Sequence, residues 1–156
     1  MIRIDIPGSA PLELEHVVCD YNGTLARDGS LVPGVRDRLV ALAGVLTVHV
    51  VTADTFGTAS DALWGLDLRV TVLAPTQQSV AKAEYVTACG AQRTVAIGNG
   101  CNDREMLAAA ALSIAVLGDE GTATASLMVA TIVTRDILIA LDLLLVPNRL
   151  VATLRR

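Results

Sequence analysis

The chain has 156 residues, of which 53% are hydrophobic and 18% charged, a length that suits one packed core and a composition that excludes disorder. The formal net charge is −4, with no basic cluster before Arg155 and Arg156, which argues against a nucleic-acid partner. Mean hydropathy is high, +0.55, but the most apolar run, 137–146, is interrupted by Asp142 and closed by Pro147, short of the roughly 20 residues a membrane span needs.

Residues 2–6 and 14–19 read as strands joined by a hairpin around Pro7-Gly8. Val17-Val18-Cys19 is a continuous apolar run, as in a central strand buried on both faces, and Cys19 reads as a small buried hydrophobe. Residues 20–32 are polar and glycine-containing, a loop or small flap. Pro33 suits the first turn of a helix reaching Ala43. Residues 46–51 are a second buried strand. A short helix over 58–64 follows, with Trp64 placed in the core or an interface, then a strand over 69–73. A helix over 79–89 stops at Gly90. The remaining expectations are a strand over 94–97, a tight loop over 98–102 and a helix over 103–110. After these come a strand over 112–116, a short helix over 122–128 and a last strand over 130–133. A helix over 135–145 and a helical tail beyond Pro147 close the chain. His16 and His49 fall inside strands, where packing is their expected role. Cys19, Cys89 and Cys101 are odd in number and lack metal-type spacing, so no disulfide framework is expected.

Five strand–helix alternations predict one α/β domain over 1–156, a three-layer, doubly wound, Rossmann-like sheet that is mostly parallel. Such sheets bind ligands beyond the carboxyl ends of their strands. Asp20 and Asn22, Thr52 and Asp54, and then Asn99, Asn102 and Asp103 all follow predicted strands.

A carboxylate directly after a buried strand, such as Asp20, is rigidly placed and can attack phosphorus to form an aspartyl-phosphate. Gly23 lets backbone amides approach phosphate oxygens. Thr52 can hold a phosphate oxygen, and Lys82 can neutralise charge on the nucleophile and the phosphoryl group. Residues 98–103, Gly-Asn-Gly-Cys-Asn-Asp, supply oxygen donors. Mg²⁺ prefers six of these, usually one or two carboxylates with waters and substrate phosphate, and Asp20 and Asp103 are the candidate carboxylates.

These residues resemble the haloacid dehalogenase-like superfamily, whose members are mostly phosphatases working through a phosphoaspartate. Four motifs occur in order: Asp20 to Thr24 as DxxGT, then Thr52, Lys82, and the run 98–103. The likeness is closer to the phosphorylation domain of P-type ATPases. DYNGT, Thr52-Ala53-Asp54 and GNGCND stand where the pumps carry DKTGT, TGD and GDGxND. The stretch 106–118 is also similar, so the chain resembles a soluble, P-type-ATPase-like subgroup. The resemblance implies catalytic roles for Asp20, Asn22, Thr52 and Lys82. It implies phosphate binding by Asp20, Gly23, Thr52, Ala53 and Lys82, and Mg²⁺ binding by Asp20, Asn22, Asn99 and Asp103. Thr24, Asp54 and Asn102 would support them.

Two positions depart from the pattern. Asn22 stands where most phosphatases of the superfamily have an Asp acting as general acid and base, and Asn99 replaces the first Asp of the fourth motif. The expected activity is a slow, Mg²⁺-dependent phosphatase acting on a phosphorylated small molecule. The alternative is a regulatory phosphate-binding module with the same fold. The intervals 25–46 and 52–82 are filled by the expected elements, so no cap domain is expected. An uncapped site on an apolar chain predicts a homo-oligomer, dimer or tetramer. With neither a span nor a signal-peptide core, the expected location is the cytoplasm.

Overall fold

A computed structural model describes residues 1–54 and 57–155. The chain opens with a small antiparallel hairpin, β1 (Ile2–Ile4) and β2 (Leu12–Leu14), outside the main sheet. The central strand is β3 (His16–Asp20), followed by a flap made of two short strands, β4 (Ala26–Arg27) and β5 (Ser30–Leu31). Next come α1 (Val35–Ala43), β6 (Thr47–Thr52), α2 (Thr58–Ala62), β7 (Arg69–Val72) and α3 (Gln78–Gly90). The second half holds β8 (Thr94–Gly98), α4 (Arg104–Ala109), β9 (Leu112–Val116), α5 (Thr124–Leu127), β10 (Ile132–Thr134), α6 (Ile137–Leu145) and α7 (Pro147–Leu154).

Six strands form one parallel sheet in the order β10-β9-β8-β3-β6-β7. The chain winds outward from β3 through β6 to β7, then returns to the other side of β3 and winds out through β8, β9 and β10. The reversal lies between β3 and β8, where a doubly wound sheet opens its ligand crevice. Alternation along the strands sorts the core into two layers. Val17, Cys19, Val48 and Val50 pack with Leu39 and Leu42 of α1 and Leu141 and Leu144 of α6. Val18 and Val51 pack with Val86 of α3 and Met106 and Leu107 of α4. This is the expected three-layer architecture.

The expected strand over 14–19 is broken at Glu15. Its N–H donates to the Arg93 carbonyl and its own carbonyl accepts from Thr47 N–H. Those two bonds turn the chain from the antiparallel hairpin into the parallel sheet. The expected loop over 98–102 ends in a 3₁₀ turn at Cys101–Asp103 that leads into α4, the helix expected over 103–110. Gly90 ends α3 with φ +94°, as its lack of a Cβ permits. Trp64 is 82% exposed, so it is not a core residue.

Among the described residues, no single helix is long and apolar enough to cross a membrane. The apolar run 137–146 is instead a buried helix. Asp142, which interrupts it, is held by a two-pronged ion pair to Arg38 of α1, at 2.7 and 3.0 Å. No separate lobe lies over Asp20 among the described residues: the segment from β3 to α1 contains only the β4–β5 flap.

Candidate active site

Four separate elements bring their side chains together at the carboxyl edge of the sheet. Asp20 is the last residue of β3, Lys82 lies in the second turn of α3, and Asn99 and Asp103 belong to the turn after β8. Lys82 is 1% exposed, and its Nζ donates to Asp20 Oδ1 and to Asp103 Oδ1, each at 2.6 Å. The other Asp103 oxygen, Oδ2, accepts the backbone N–H groups of Asn99 and Gly100 at 2.9 and 2.8 Å. Gly98 makes this loop possible: a Cβ there would stand 2.6 Å from Asp103 Cγ.

Thr24 Oγ1 lies 3.2 Å from Asp20 Oδ2 and 3.1 Å from Asn99 Oδ1. It carries one proton, so it donates to one of the two at a time. The Asn99 amide is oriented by its Nδ2, which donates to Gly121 O at 3.0 Å and leaves Oδ1 facing Thr24 and Asp20. Gly23 has φ +78°, and a Cβ there would meet Asn99 Nδ2 at 2.6 Å. Its own N–H is committed to Ala26 O at 2.8 Å. Gly23 is therefore needed for the turn and for the close approach of Asn99, and its amide is not turned outward to a ligand.

Two carboxylates and one ammonium share this dry pocket. Burial raises the Asp20 pKa first and the Asp103 charge raises it further. Lys82 and Thr24 pull it down less strongly, and the net position is about 7. For Lys82, burial lowers the pKa, but the two carboxylates outweigh it and raise the value overall. The cluster thus carries one more negative than positive charge when fully ionised, and its oxygens call for a further cation.

The remaining expected site residues fall into distinct places. Thr52 ends β6 beside β3 and is buried. Its Oγ1 accepts the Asp54 N–H at 3.1 Å and keeps its own proton to donate. Ala53 follows on the same edge and is half-buried. Asp54 Oδ2 accepts from Thr58 Oγ1 at 2.9 Å and from Ala59 N–H at 2.6 Å, so it caps the start of α2. Asn22 is exposed two residues beyond Asp20. Asn102 points away from Asp20: its Nδ2 donates to Gln78 Oε1 at 2.9 Å and ties the loop to the start of α3. Asp103 has no exposed surface. Both its oxygens are engaged, Oδ1 by Lys82 and Oδ2 by the two loop amides.

Several rim residues escaped the sequence reading. Arg27 of the flap forms an ion pair with Asp119, and Asp28 N–H donates to Glu120 Oε1 at 3.0 Å. Together they fasten the β4–β5 flap to the loop after β9. A cavity of about 90 Å³ lies beneath, lined by Thr24, Arg27, Glu120 and Arg135 among others. The strand-end rule that singled out Asp20 would also have found Asp119 and Glu120, which follow β9.

No protein-family profile matches the chain. Uncharacterized protein MJ0073 of Methanocaldococcus jannaschii is 50% identical over 64 residues, covering 41% of this chain and 69% of that protein. The chain belongs to the family of that archaeal protein. Solved structures extend the likeness to most of the chain. The cobalt-bound deoxy-D-mannose-octulosonate 8-phosphate phosphatase of Haemophilus influenzae superposes with a TM-score of 0.69 at 17% identity, covering 92% of this chain and 94% of that one. The 3-deoxy-D-manno-octulosonate 8-phosphate phosphatase of Moraxella catarrhalis, in complex with magnesium, phosphate and the sugar acid, gives 0.66 at 14%, covering 91% and 94%. A haloacid dehalogenase-like family protein of Streptococcus pneumoniae gives 0.60 at 12%, covering 83% and 97%. At these identities the likeness establishes the fold, the haloacid dehalogenase-like sheet that the motif order implied.

Proposed function

We propose that the protein is a Mg²⁺-dependent phosphatase that acts on a phosphorylated small molecule through an aspartyl-phosphate on Asp20. The observation that carries this reading is the buried Asp20–Lys82–Asp103 cluster at the switch point of the sheet, with its uncompensated negative charge. The donor set fits a hard divalent cation. Asp20 Oδ2 and Asn99 Oδ1 both lie within 3.2 Å of one hydroxyl, so two oxygens already converge. Asp20, Asn99 and the backbone carbonyl of Asn22 would hold the ion. Bound there, it would supply positive charge that polarises the phosphoryl oxygens. The phosphatases of the same fold from Haemophilus influenzae and Moraxella catarrhalis, with cobalt and with magnesium and phosphate, support this reading.

Asp103 acts through Lys82 in this scheme. It fixes the ammonium against Asp20 and leaves it charged, so Lys82 can offset the negative charge of an incoming phosphate. The Thr52 hydroxyl donates to a phosphoryl oxygen from the neighbouring strand end, next to Ala53. An Asp20 oxygen attacks phosphorus, the bond from phosphorus to the leaving oxygen breaks, and that oxygen takes a proton from solvent. Water then attacks the aspartyl-phosphate, releasing inorganic phosphate and the Asp20 carboxylate.

The second step needs a base, and Asn22 offers none. General acid–base help is worth roughly 10²–10⁴-fold, so the phosphoenzyme should accumulate. This is also the respect in which the P-type-ATPase-like motif order favours a long-lived intermediate. The same Asn22 favours the second reading, a phosphate-responsive module without turnover. Rapid-quench kinetics on an activated aryl phosphate with Mg²⁺ separate the two. A burst, a slow phase and label on Asp20, all abolished by Asp20→Asn, support the enzyme. Asn22→Asp should then speed the slow phase by up to roughly 10²-fold, the lower end of that range. No burst and no label, with phosphate still bound, would establish the module instead. Exposed Trp64 and Met128 support a homo-oligomer, dimer or tetramer. A cytoplasmic location and an acidic surface without nucleic-acid partners complete the proposal.

A further inference from the structure

At the other end of β3, His16 begins the strand that Asp20 ends, about 13 Å away along the backbone. In the parallel register His16 pairs with Thr47 and Val18 with His49. The two histidines are therefore diagonal neighbours on one face, the face covered by α3. Tyr85 and Cys89, one turn apart on α3, point back at them. His16 Nδ1 lies 3.1 Å from His49 Nε2, and Cys89 Sγ lies 4.0 Å from the same nitrogen.

We propose that His16 Nδ1, His49 Nε2 and Cys89 Sγ form a zinc(II) site separate from the Asp20 cluster. The three donor atoms lie within 4.8 Å of one another. With Zn–N near 2.0–2.1 Å and Zn–S near 2.3 Å, the edges of a tetrahedral site are about 3.3 Å between nitrogens and about 3.6 Å from nitrogen to sulfur. The histidine pair is already near that spacing, Cys89 Sγ is about 0.4 Å beyond it from His49 Nε2, and the thiol closes on both nitrogens by a side-chain shift on the order of 1 Å. Three protein ligands leave the fourth position to water or another small donor.

The groups around the cluster prepare it for a metal. His49 Nδ1 is 2.9 Å from Tyr85 Oη, which also accepts from Thr71 Oγ1 at 3.3 Å. With the His49 proton on Nδ1 and donated to Tyr85, the Nε2 lone pair is directed at the shared centre. Burial, then His16 and Arg69, push the His49 pKa down to about 4, so the ring is neutral at ordinary pH. Burial raises the Cys89 thiol, while Arg69 pulls it back toward the thiolate. Zinc binding would displace the thiol proton to solvent. Imidazole with thiolate is a borderline-soft set that suits zinc, whereas Mg²⁺ wants oxygens, so the two ends of β3 select different ions. His16 also borders an open surface depression with Glu15 and Thr47.

The test uses the full chain, stripped of metal, in excess Mg²⁺ to occupy the oxygen site. Zinc is titrated against a chromophoric chelator, and cobalt(II) is used as a spectroscopic substitute. The expected result is one zinc per chain and a thiolate-to-cobalt charge-transfer band. Cys89→Ser should abolish the band, and His16→Gln should weaken zinc binding at least tenfold. Tyr85→Phe should weaken it roughly tenfold or more by freeing the His49 ring. Asp20→Asn should leave the zinc titration unchanged, which separates this site from the proposed catalytic one. His16 and Cys89 are only half-buried, and urea unfolding in chelator checks that their variants fold. No stoichiometric zinc, a cobalt spectrum without a thiolate band, or binding that survives both Cys89→Ser and His16→Gln would overturn the proposal. The histidines would then be a hydrogen-bonded pair completing a buried polar network.

Discussion

Helix α3 carries two polar clusters that differ in kind. Near its start Lys82 is buried between Asp20 and Asp103. Further along, Tyr85 and Cys89 meet His16 and His49 in a hydrogen-bonded network without a carboxylate. Both lie on the same side of the sheet. The difference follows from the backbone groups at hand. Beyond the strand ends, loop amides are not used in the ladder, and Asn99 and Gly100 give theirs to Asp103. That help makes a buried carboxylate tolerable. Within the ladder the amides are committed to neighbouring strands, so His16, His49 and Tyr85 must satisfy one another, and burial holds the His49 ring neutral.

The largest way to break this contrast is Lys82→Met. It leaves two carboxylates facing each other in a dry pocket, and removing one partner of a buried ion pair costs about 3–5 kcal/mol. Urea unfolding at neutral pH should show a loss of that order, and phosphoenzyme formation should cease. A loss below about 1 kcal/mol would mean that water or a relaxed Asp20 already screens the pair.

Next is Gly98→Ala. Its new methyl would collide with Asp103 Cγ, and overpacking of this kind costs about 1–3 kcal/mol. Because the displaced group holds Lys82, turnover should fall by more than substrate affinity. A comparison of kcat with KM reads this directly, and an unchanged kcat would show that Asp103 can shift without moving Lys82.

Proton linkage sharpens the contrast with opposite signs. The folded pKa of Asp20, about 7, is above its ordinary value of 3.8. The folded chain therefore binds the extra proton between these values, and this contribution to stability is lost as pH rises from about 4 to 7. The folded pKa of His49, about 4, is below its ordinary 6.5. Its contribution is present above pH 6.5 and lost as pH falls toward 4. In chelator, Asp20→Asn should gain stability relative to wild type as pH rises through this window, and Mg²⁺ should narrow the gap by stabilising wild type. His49→Gln should gain relative to wild type as pH falls. Parallel unfolding curves for wild type and Asp20→Asn would show that Asp20 is ionised throughout.

The smallest effect is expected at the rim. Arg27→Ala removes an exposed ion pair to Asp119, a change worth about 0–1 kcal/mol in stability. Its trace should be kinetic, a higher KM from a less firmly fastened flap, with kcat nearly unchanged. Equal effects on both constants would place Arg27 at the reacting phosphate.

Much of this molecule was legible before any coordinates. Valine-rich runs such as 17–19 and 46–51 mark buried parallel strands because both of their faces are covered. Gly90 marks the end of α3 because few other residues adopt its φ. The motif order from Asp20 to Asp103 placed the candidate site residues on one edge of the sheet, since strand ends in a doubly wound fold share that edge. What needed tertiary structure was which atoms meet. Asp103, expected among the Mg²⁺ ligands, gives one oxygen to Lys82 and the other to two loop amides, contacts no local pattern announces. Asp54 turned out to cap α2, and Asn102 to tether a loop. His16, His49 and Cys89 are separated by 33 and 40 residues, and no local period relates them. Only the register of β3 against β6, with α3 laid across both, brings them within bonding distance, because side-chain convergence depends on strand order and helix placement as well as on sequence.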